Sequence, residues 1–443
     1  MAYVASTAQV SLETIGKKGI VTLEVTNPNN VACQDAPVCV KLPEASKWQS
    51  ATVRVDGQEI PSQLDDLNGD GVMDELALVI DLEAKESKTL EVTFGKKSLP
   101  ADRYESRVFT DMRLRVVKKG RTIDLREENY RIDTISEVED THYSDVYPHG
   151  LCFENEVMGY RVYFNAGHGT DLYGKRMKQL ELDRSMWYTP EIRDSAALYH
   201  YGEDYIVVGA TASLGTLRGW DDSKWDPDYL NTVADRRSMD PCMLNITPFD
   251  WRQAHIVAKG PVRTVVDMNV EGWQYKDRKL NLKARYILYA GNREHQILNQ
   301  LEAADGQPLS DLEFVTGVMK VGSLNSDSVD VAMQQYIYDG KGFCASYGKD
   351  WPDPNHTLFP YMSKAALALE IPEANVVRTL DRREQILYGV RLNEDGSILY
   401  RAACAAPDLE TFAPYDDGRW NYKRWFEWAK AWSLQQPAVV TVK

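Results

Sequence analysis

Short runs of β-branched and aromatic residues recur along the chain between turn-forming clusters, and long helical periods are scarce. A pattern of this kind predicts strands and not helices. In the first part of the chain, Asn-Pro-Asn, Asp-Gly and Asn-Gly-Asp-Gly clusters separate five predicted strands, at 20–26, 38–42, 52–55, 76–82 and 89–94. This spacing is typical of a β-sandwich of immunoglobulin-like size, which we predict over residues 1–98.

A polar, proline-bearing stretch at 95–102 predicts a linker, and longer strands follow it. These strands are predicted at 109–117, 159–164, 205–211, 264–271 and 279–289. In the last of them every second residue from Leu280 to Leu288 is apolar, as a half-buried strand requires. Residues 272–278 are then a hairpin loop. With no second linker visible, we predict one large sandwich over 103–443 and an all-β fold class.

Tryptophans recur at helical spacing towards the C-terminal end, at Trp420, Trp425, Trp428 and Trp432. Pairs three and four residues apart place their side chains on one helix face. We predict a short helix packed on the large sandwich. The alternative is an aromatic platform for a sugar ring.

The 443 residues include 66 acidic and 51 basic side chains, for a formal net charge of −15. This balance leaves no excess cations to neutralise a phosphate backbone, so general nucleic-acid binding is excluded. No apolar run approaches the roughly 18 residues of a membrane span. The chain is 43% hydrophobic, which is typical of a globular protein with large cores.

Six cysteines show neither CxxC nor metal-finger spacing, so we interpret them as buried apolar side chains. The first residues, Met1 to Ser6, lack the basic and apolar segments of a signal peptide. We therefore expect either a cytoplasmic start or a mature chain trimmed of its signal. The cysteines do not decide between these locations.

Oxygen-bearing side chains occupy alternate positions in the loop at 66–75. The first half of this loop matches an EF-hand, but Ala77 replaces the bidentate acid and the flanking segments are predicted strands. We expect a structural calcium ion held by Asp66, Asn68, Asp70 and Asp74. The alternative is an acidic turn closed by its own hydrogen bonds, without an ion.

Titratable and anion-binding side chains concentrate between residues 142 and 204, where four of the seven histidines lie. His149 and His200 are candidate catalytic acids or bases, because imidazole titrates near neutral pH; each is otherwise a structural hydrogen bonder. On the strand at 159–164, Arg161 and Tyr163 share one face. Arg161 is a fixed cation in a cleft if that face is concave, and an ordinary solvent-facing arginine otherwise.

Further candidates complete this set. Glu154 and Asp204 are the nearest carboxylates for acid and base roles. Candidate substrate-binding residues are His142, Lys175, Arg176, Trp187, Trp220 and Trp225. The cationic side chains of this set can pair with substrate carboxylates. The indole rings can pack on the faces of sugar rings, and the alternative is that the tryptophans fill a layer of loops.

Several standard sites lack support. A metal site built from His142, His149 and His200 has no close-spaced ligand pair. No GxSxG elbow, P-loop or GxGxxG after a strand is present, so serine-hydrolase, nucleotide and dinucleotide chemistry are not indicated. We therefore expect no organic cofactor.

Seven segments carry a family resemblance: 63–71 (QLDDLNGDG), 74–76 (DEL), 149–150 (HG), 154–155 (EN), 160–165 (YRVYFN), 171–175 (DLYGK) and 260–263 (GPVR). Together they resemble a domain-of-unknown-function family of bacterial polysaccharide-utilisation systems, over nearly the whole chain. The resemblance implies a galactose-mutarotase-like supersandwich for the larger domain. It also implies an exported, periplasmic, carbohydrate-active protein that accompanies enzymes of pectin and other uronic-acid glycans.

The first functional hypothesis is a lyase or glycoside hydrolase acting on uronic-acid-containing oligosaccharides such as pectin fragments. In a lyase, His149 or His200 removes the proton beside the carboxylate, Arg161 stabilises the enolate and Tyr163 protonates the leaving oxygen. Lys175 and Arg176 are further carboxylate partners. In a hydrolase, Glu154 and Asp204 flank the scissile bond.

Two other hypotheses use the same region. A sugar mutarotase or epimerase needs an acid and a base but breaks no glycosidic bond. A non-catalytic glycan-binding protein needs only the aromatic residues. For an enzyme, we expect His149→Ala and Arg161→Ala each to abolish turnover and to leave the melting transition nearly unchanged. The sequence does not indicate an oligomeric state.

Overall fold

The computed structural model describes residues 6–115, 130–188, 201–227, 229, 240–322, 335–350, 363–406 and 422–443. Its N-terminal elements are β1 (Ser6–Gln9), α1 (Leu12–Ile15), β2 (Ile20–Thr26), β3 (Cys33–Lys41), β4 (Ser50–Val55), β5 (Gln58–Ile60), β6 (Ser62–Asp65), β7 (Glu75–Leu82) and β8 (Ser87–Gly95). None of the described helices has the length and hydropathy needed to cross a membrane.

Strands continue to dominate the rest of the chain. The next elements are β9 (Val108–Leu114), β10 (Thr134–Glu137), β11 (Val146–Asn155), β12 (Met158–Tyr163), β13 (Thr170–Gly174), α2 (Leu182–Ser185), β14 (Glu203–Asp204), β15 (Arg218–Trp220), β16 (Met243–Leu244), β17 (Trp251–Lys259), β18 (Arg263–Tyr275), β19 (Arg278–Tyr289) and β20 (Glu294–Ala303). The last elements are β21 (Phe314–Met319), β22 (Gln335–Tyr338), β23 (Phe343–Asp350), β24 (Ser363–Glu370), β25 (Val376–Asp381), β26 (Gln385–Val390), β27 (Ser397–Ala405), α3 (Tyr422–Ser433) and β28 (Val439–Val442).

A small sandwich forms from two sheets with strand orders β1-β3-β7-β6 and β28-β2-β8-β4-β5. Alternate side chains such as Val21 and Leu23 on β2, and Leu76 and Leu78 on β7, are buried in its core. The strands predicted for this region are all present, and β2 has its predicted bounds. The last strand, β28, pairs with β2, so the chain returns to this sandwich at its C-terminal end. The domain bounds predicted from the sequence, 1–98 and 103–443, did not anticipate that a C-terminal strand belongs to the small sandwich.

A larger sandwich follows, with one nine-stranded sheet packed against two five-stranded sheets. The nine strands run in the order β10-β17-β18-β19-β20-β27-β24-β23-β22, and the five-stranded orders are β14-β13-β12-β11-β9 and β16-β15-β21-β26-β25. One core receives apolar side chains from all three sheets, among them Phe153, Tyr286 and Tyr388. The all-β prediction, a small sandwich followed by a large one, is confirmed.

The β18–β19 hairpin confirms the pair of strands predicted from alternation, but the loop predicted at 272–278 is wrong. The strands continue until a two-residue turn remains, in which Lys276 has φ 56°. A bulge between Val270 and Trp273 shifts the register within β18. Because a bulge interrupts strict alternation, it hides the second half of the strand from a pattern of period two.

The predicted strand at 205–211 is also wrong. This segment has irregular backbone, although Tyr205 and Ile206 are buried in the large core. Its apolar residues therefore reflect burial of side chains and not membership of a sheet.

The helix α3 confirms the helix predicted from the spacing of tryptophans. Trp425 and Trp432 are buried, and Trp428 stacks on both with ring centroids 5.0 and 5.8 Å apart. The indole of Trp425 donates to the Leu367 carbonyl at 3.3 Å, which fastens the helix to the large sandwich. Trp420 lies outside the described residues.

Charged side chains join the two sandwiches. Arg263 of β18 is 1% exposed and pairs with Asp65 of β6 at 2.7 Å and with Glu75 of β7 at 3.0 Å. The Gln63 side-chain oxygen accepts the backbone N–H of Arg263 at 2.9 Å. The strands on either side of the acidic loop are therefore held against the nine-stranded sheet.

Candidate functional site

The five-stranded sheet β14-β13-β12-β11-β9 has an apolar inner face and a polar outer face. On β12, Tyr160 and Val162 lie in the large core, whereas Arg161 and Tyr163 lie on the opposite side. This arrangement confirms the alternation predicted for the strand. A small apolar cluster that includes Trp187 covers part of the outer face.

Arg161 lies fully buried at the centre of the outer face. Its Nη2 pairs with Asp171 of β13 and, at 3.3 Å, with Asp204 of β14. Its Nη1 donates to the Pro148 carbonyl at 3.1 Å and to the Tyr188 hydroxyl at 2.9 Å. The alternative of a solvent-facing arginine is therefore wrong, and Arg161 is a fixed cation inside the protein.

Aromatic rings enclose the same guanidinium. Its central carbon lies 4.2 Å from the ring centroid of Tyr163 and 4.3 Å from that of Trp187. Both distances are within the range of cation–π attraction. The Tyr163 hydroxyl accepts a hydrogen bond from Arg161 and donates one to Asp171 at 2.8 Å. Burial raises the pKa of Tyr163 well above its usual value, so this hydroxyl keeps its proton at neutral pH.

Two buried carboxyl groups share the single charge of Arg161. Burial and then the neighbouring charge of Asp171 raise the pKa of Asp204 well above its usual range. Burial also raises the pKa of Asp171, although Arg161 opposes that shift. The Trp187 indole donates to Asp204 at 2.9 Å. We infer that Asp171 carries the negative charge of the pair and that Asp204 retains a proton.

His149 lies on β11 with φ 71° and is half-buried. Its Nδ1 is 3.1 Å from the carbonyl oxygen of Tyr143, which can only accept a hydrogen bond. Nδ1 must therefore carry the proton, and the neutral ring presents Nε2 as an acceptor. Burial lowers the pKa of His149, and the charges of Arg161 and Arg115 lower it further. The hydrogen bond to the Tyr143 carbonyl opposes this shift but does not cancel it. His149 is thus a neutral base at physiological pH.

Four half-buried rings lie above Arg161: Tyr143, His149, Tyr163 and Tyr188, which we call the tyrosine rim. Tyr143 stacks on His149 at 4.5 Å between centroids and lies 6.1 Å from Tyr163, while Tyr188 meets His149 edge-on at 6.5 Å. Burial raises the pKa of Tyr188 to about 12 and also raises that of Tyr143. The rim therefore combines one neutral base with three protonated hydroxyls.

Glu154 and Lys175 are fully buried and form an ion pair with each other. Glu154 also accepts the backbone N–H groups of Glu181 and Leu182 at 2.9 and 2.8 Å, and Lys175 donates to the Gln179 carbonyl at 2.7 Å. This network fixes the segment that leads into α2. It leaves neither side chain exposed to a substrate, so we assign both a structural role.

Arg176 and His142 lie nearer the surface. Arg176 keeps 32% of its side chain exposed and pairs at 3.0 Å with Glu203, the neighbour of Asp204 in β14. His142 contacts Asp145 at 2.8 Å and directly precedes Tyr143 of the rim. His142 therefore borders the tyrosine rim, whereas Arg176 pairs with a residue whose side chain alternates with that of Asp204.

The predicted tryptophans are divided between two places. Trp187 is fully buried against Arg161. Trp220 is fully buried on the other five-stranded sheet, where its indole donates to Asp222 at 2.8 Å. Trp225 is 38% exposed and lies beneath Arg382, 4.2 Å from the guanidinium to the ring centroid. Trp220 and Trp225 thus belong to a separate cluster.

Sequence reasoning assigned no site role to Asp171, Tyr143 and Tyr188, and His200 lies outside the described residues. Asp171 faces Arg161 across the β12–β13 ladder. Alternation on both strands could have indicated this pair once their register was known. Tyr188 lies in irregular chain after α2, where no periodicity indicates its direction.

The acidic loop between β6 and β7 is closed by its own backbone. The two carboxylate oxygens of Asp66 accept the N–H groups of Gly69 and Gly71, both at 2.8 Å, and Asp74 accepts that of Leu67 at 2.6 Å. Arg285 of β19 donates to the Leu67 carbonyl at 2.8 Å. The loop is therefore fastened to the large sandwich as well.

The other two predicted calcium ligands make similar bonds. Asn68 accepts the N–H of Asp70 at 2.9 Å, and Asp70 accepts that of Val72 at 2.8 Å. Across the part of the chain that the structure describes, no three His, Cys, Asp or Glu side chains are gathered as a metal site. Calcium binding by this loop stays a prediction.

Comparison with models of protein families shows the family to which the chain belongs. The model of the family DUF4861, a domain of unknown function, matches residues 25–421. The chain belongs to this family. No curated protein matches it in sequence.

Three solved structures are similar to this chain at low identity. The first is an alpha-mannosidase from Enterococcus faecalis, with 8% identity and a TM-score of 0.37 over 97% of this chain and 46% of that one. The second is a glycosyl hydrolase family 38 protein from the same organism, with 7% identity and a TM-score of 0.39 over 98% of this chain and 48% of that one. The third is a protein assigned as an aldose 1-epimerase from Klebsiella pneumoniae, with 10% identity and a TM-score of 0.30 over 61% of this chain and 82% of that one. The chain spans less than half the length of the first two. With TM-scores below 0.5, these likenesses carry no argument about activity.

Proposed function

We propose that this protein is a carbohydrate-active enzyme, a lyase that cleaves uronic-acid-containing oligosaccharides such as pectin fragments at the tyrosine rim. The observation that carries the proposal is the neutral imidazole of His149 in one rim with the protonated hydroxyl of Tyr163, both rings lying beside Tyr143 with centroids 4.5 and 6.1 Å from it. Aromatic faces and hydroxyls suit the C–H faces and hydroxyls of sugars. An exported, periplasmic location within polysaccharide utilisation belongs to the same proposal.

The proposed reaction is an elimination. His149 Nε2 takes the proton from the carbon beside the substrate carboxylate, and the released electron pair forms a C=C bond as the glycosidic C–O bond breaks. The Tyr163 O–H, which bonds to Asp171 in the free protein, turns to the departing oxygen and gives it the proton. Arg161, which contacts the Tyr163 oxygen, stabilises the phenolate that remains. After product release, solvent carries the proton from His149 back to Tyr163.

This reaction changes the role of Arg161 from the one that the sequence suggested. Its guanidinium is buried and bonded to protein groups, so it acts as a positioning residue for Tyr163 and not as the partner of a substrate carboxylate. Among the predicted cationic partners, Arg176 keeps a third of its side chain exposed beside β14. Arg176 is already paired with Glu203, which alternates with Asp204 along β14, so none of the described cations is assigned to the substrate carboxylate.

A sugar mutarotase or epimerase is the second candidate, and the burial of Arg161 favours it. An acid and a base suffice to open and close a pyranose ring, so this reaction needs no cation for a substrate carboxylate. Hydrolysis by a Glu154–Asp204 pair has less support, because Glu154 is bound to Lys175 and to backbone amides.

The experiment is a screen of uronic-acid oligosaccharides by mass spectrometry, with the ultraviolet absorbance of unsaturated uronides recorded in parallel. The test variants are His149→Asn and Tyr163→Phe. Asparagine tolerates the positive φ at position 149, and phenylalanine removes only the acid. The matched controls are His255→Asn and Tyr338→Phe, whose side chains bond to Thr134 and Asp381 elsewhere on the large sandwich.

We expect an unsaturated product from the wild type and the controls, and a loss of at least about a hundredfold in kcat/KM in the test variants. A product that has gained water would identify a hydrolase and overturn the proposal. Exchange of anomers without cleavage would support the second candidate instead. Binding without turnover would indicate a glycan-binding protein.

A further inference from the structure

Six of the arginines that the structure describes are among its largest fully buried side chains, and five of these six pair with a carboxylate. The pairs are Arg113 with Asp111, Arg161 with Asp171, Arg252 with Glu137, Arg263 with Asp65 and Arg401 with Glu370. Arg218 of β15 is 1% exposed and has no carboxylate within salt-bridge distance among the described residues. A buried charge without a counter-charge is unfavourable, so Arg218 needs a partner of another kind.

Among the described residues, Arg218 forms hydrogen bonds to neutral oxygens only. Its Nη1 donates to the Asn245 side chain at 2.7 Å, and its Nη2 lies 3.5 Å from the Thr211 carbonyl. Its Nε has no partner in the described part of the chain. Burial lowers the pKa of Arg218 to about 10, which leaves the side chain charged at neutral pH.

His168 is the second unpartnered group at this place. It is 1% exposed, and neither ring nitrogen has a hydrogen-bond partner among the described residues. Arg218 packs against the backbone just before it, since a Cβ on Gly167 would lie 3.1 Å from Nη2. The Thr216 hydroxyl donates to the His168 carbonyl at 3.2 Å. Burial, and then the charges of Arg252 and Arg218, lower the pKa of His168 well below its usual value, so one ring nitrogen carries a proton to donate.

We propose that Arg218 and His168 form a buried binding site for a small inorganic anion, chloride in the cell. Arg218 supplies the compensating charge and its free Nε–H, and His168 supplies a second N–H. Both side chains are almost completely buried, so the proposal is limited to a ligand as small as a single ion. A water molecule could accept the same hydrogen bonds but would leave the charge unbalanced.

The anion would fasten the segment 164–169 to β15. This segment connects β12, which carries Tyr163, to β13, which carries Asp171. The site itself is separate from the tyrosine rim, and the proposal does not rest on the function proposed above.

The test uses the full chain in two experiments. Crystals grown in bromide are measured at the bromine absorption edge, and an anomalous peak in contact with Arg218 and His168 is expected. In solution, the melting temperature is compared in sodium chloride and sodium gluconate at equal ionic strength, so that screening is the same. We expect chloride to raise it by about 2 °C or more.

Arg218→Gln removes the charge and keeps a donor for Asn245, so its melting temperature should not respond to chloride. The control Arg378→Gln affects a half-exposed arginine paired with Asp222 and Glu313, and should respond as the wild type does. If Arg218→Gln does not fold, His168→Asn takes its place. A water at this position in the bromide crystals, or an equal response to chloride in Arg218→Gln and wild type, would overturn the proposal.

Discussion

Asp171 lies directly across the β12–β13 ladder from Arg161, and the two side chains form a salt bridge on one face of the sheet. Because cross-strand neighbours share a face, the register of two strands sets this pair. The same guanidinium reaches Asp204 on the next strand, β14. The charged centre beneath the tyrosine rim is therefore part of the sheet.

Replacing Arg161 should destabilise the protein. We expect Arg161→Met to lower the free energy of unfolding by about 3 to 5 kcal/mol, because the carboxyl groups of Asp171 and Asp204 stay buried without a cation. Urea denaturation measures this loss. The sequence-based expectation that the melting transition of an Arg161 variant is nearly unchanged assumed that this side chain is exposed in a cleft. Arg161 is fully buried, so we now expect its replacement to destabilise the protein. An Arg161→Met variant as stable as wild type would contradict the assigned role.

Asp204 should make the protein less stable as the pH rises. Its pKa is raised in the folded state, so above a pH of about 4 the folded state holds a proton that the unfolded state has lost. The free energy of unfolding then falls as the pH increases towards the folded-state pKa. Asp204→Asn resembles the protonated carboxyl and should weaken this dependence.

The matched control for that measurement is Asp171→Asn, which removes the charge that we assign to the pair. It should lose stability throughout the same pH range, because Asp204, whose pKa the charge of Asp171 helps to raise, must then ionise to replace Asp171 as the anionic partner of Arg161 at the longer distance of 3.3 Å. Thermal melts from pH 5 to pH 9 would compare both variants with wild type. Equal behaviour of the two variants would show that the proton is not localised on Asp204.

The spacing of strands and turn clusters predicted both sandwiches, and alternation of apolar residues predicted the faces of β12 and the β18–β19 pair. Alternation could not predict which strands are neighbours, and so it missed Asp171, whose role depends on pairing with Arg161. It also could not foresee that Glu154 and Lys175 neutralise each other, because they lie 21 positions apart in the chain. The face of a strand on which a residue lies can thus be predicted from the periodicity of the sequence. The pairing of strands and the direction of side chains in loops cannot.

Calcium binding by the acidic loop can be tested through stability. If Asp66, Asn68, Asp70 and Asp74 bind the ion, EDTA should lower the melting temperature and added calcium should restore it, because an ion that binds only the folded state stabilises it. The variant Asp70→Asn should weaken the response. A melting temperature that is the same in EDTA and in calcium would show that hydrogen bonds alone close the loop.

The pH dependence of turnover should report the ionisation of His149. A general base must be unprotonated, so activity is lost as the pH falls through its pKa. Burial and the charge of Arg161 lower that pKa, and we therefore expect the acidic limb of kcat/KM below the usual histidine value of about 6.5. In His149→Asn the residual activity should lack this limb, whereas in the control His255→Asn it should keep it. An acidic limb unchanged in His149→Asn would assign the base to another residue, while the Nδ1 hydrogen bond to Tyr143 would remain as a structural contact.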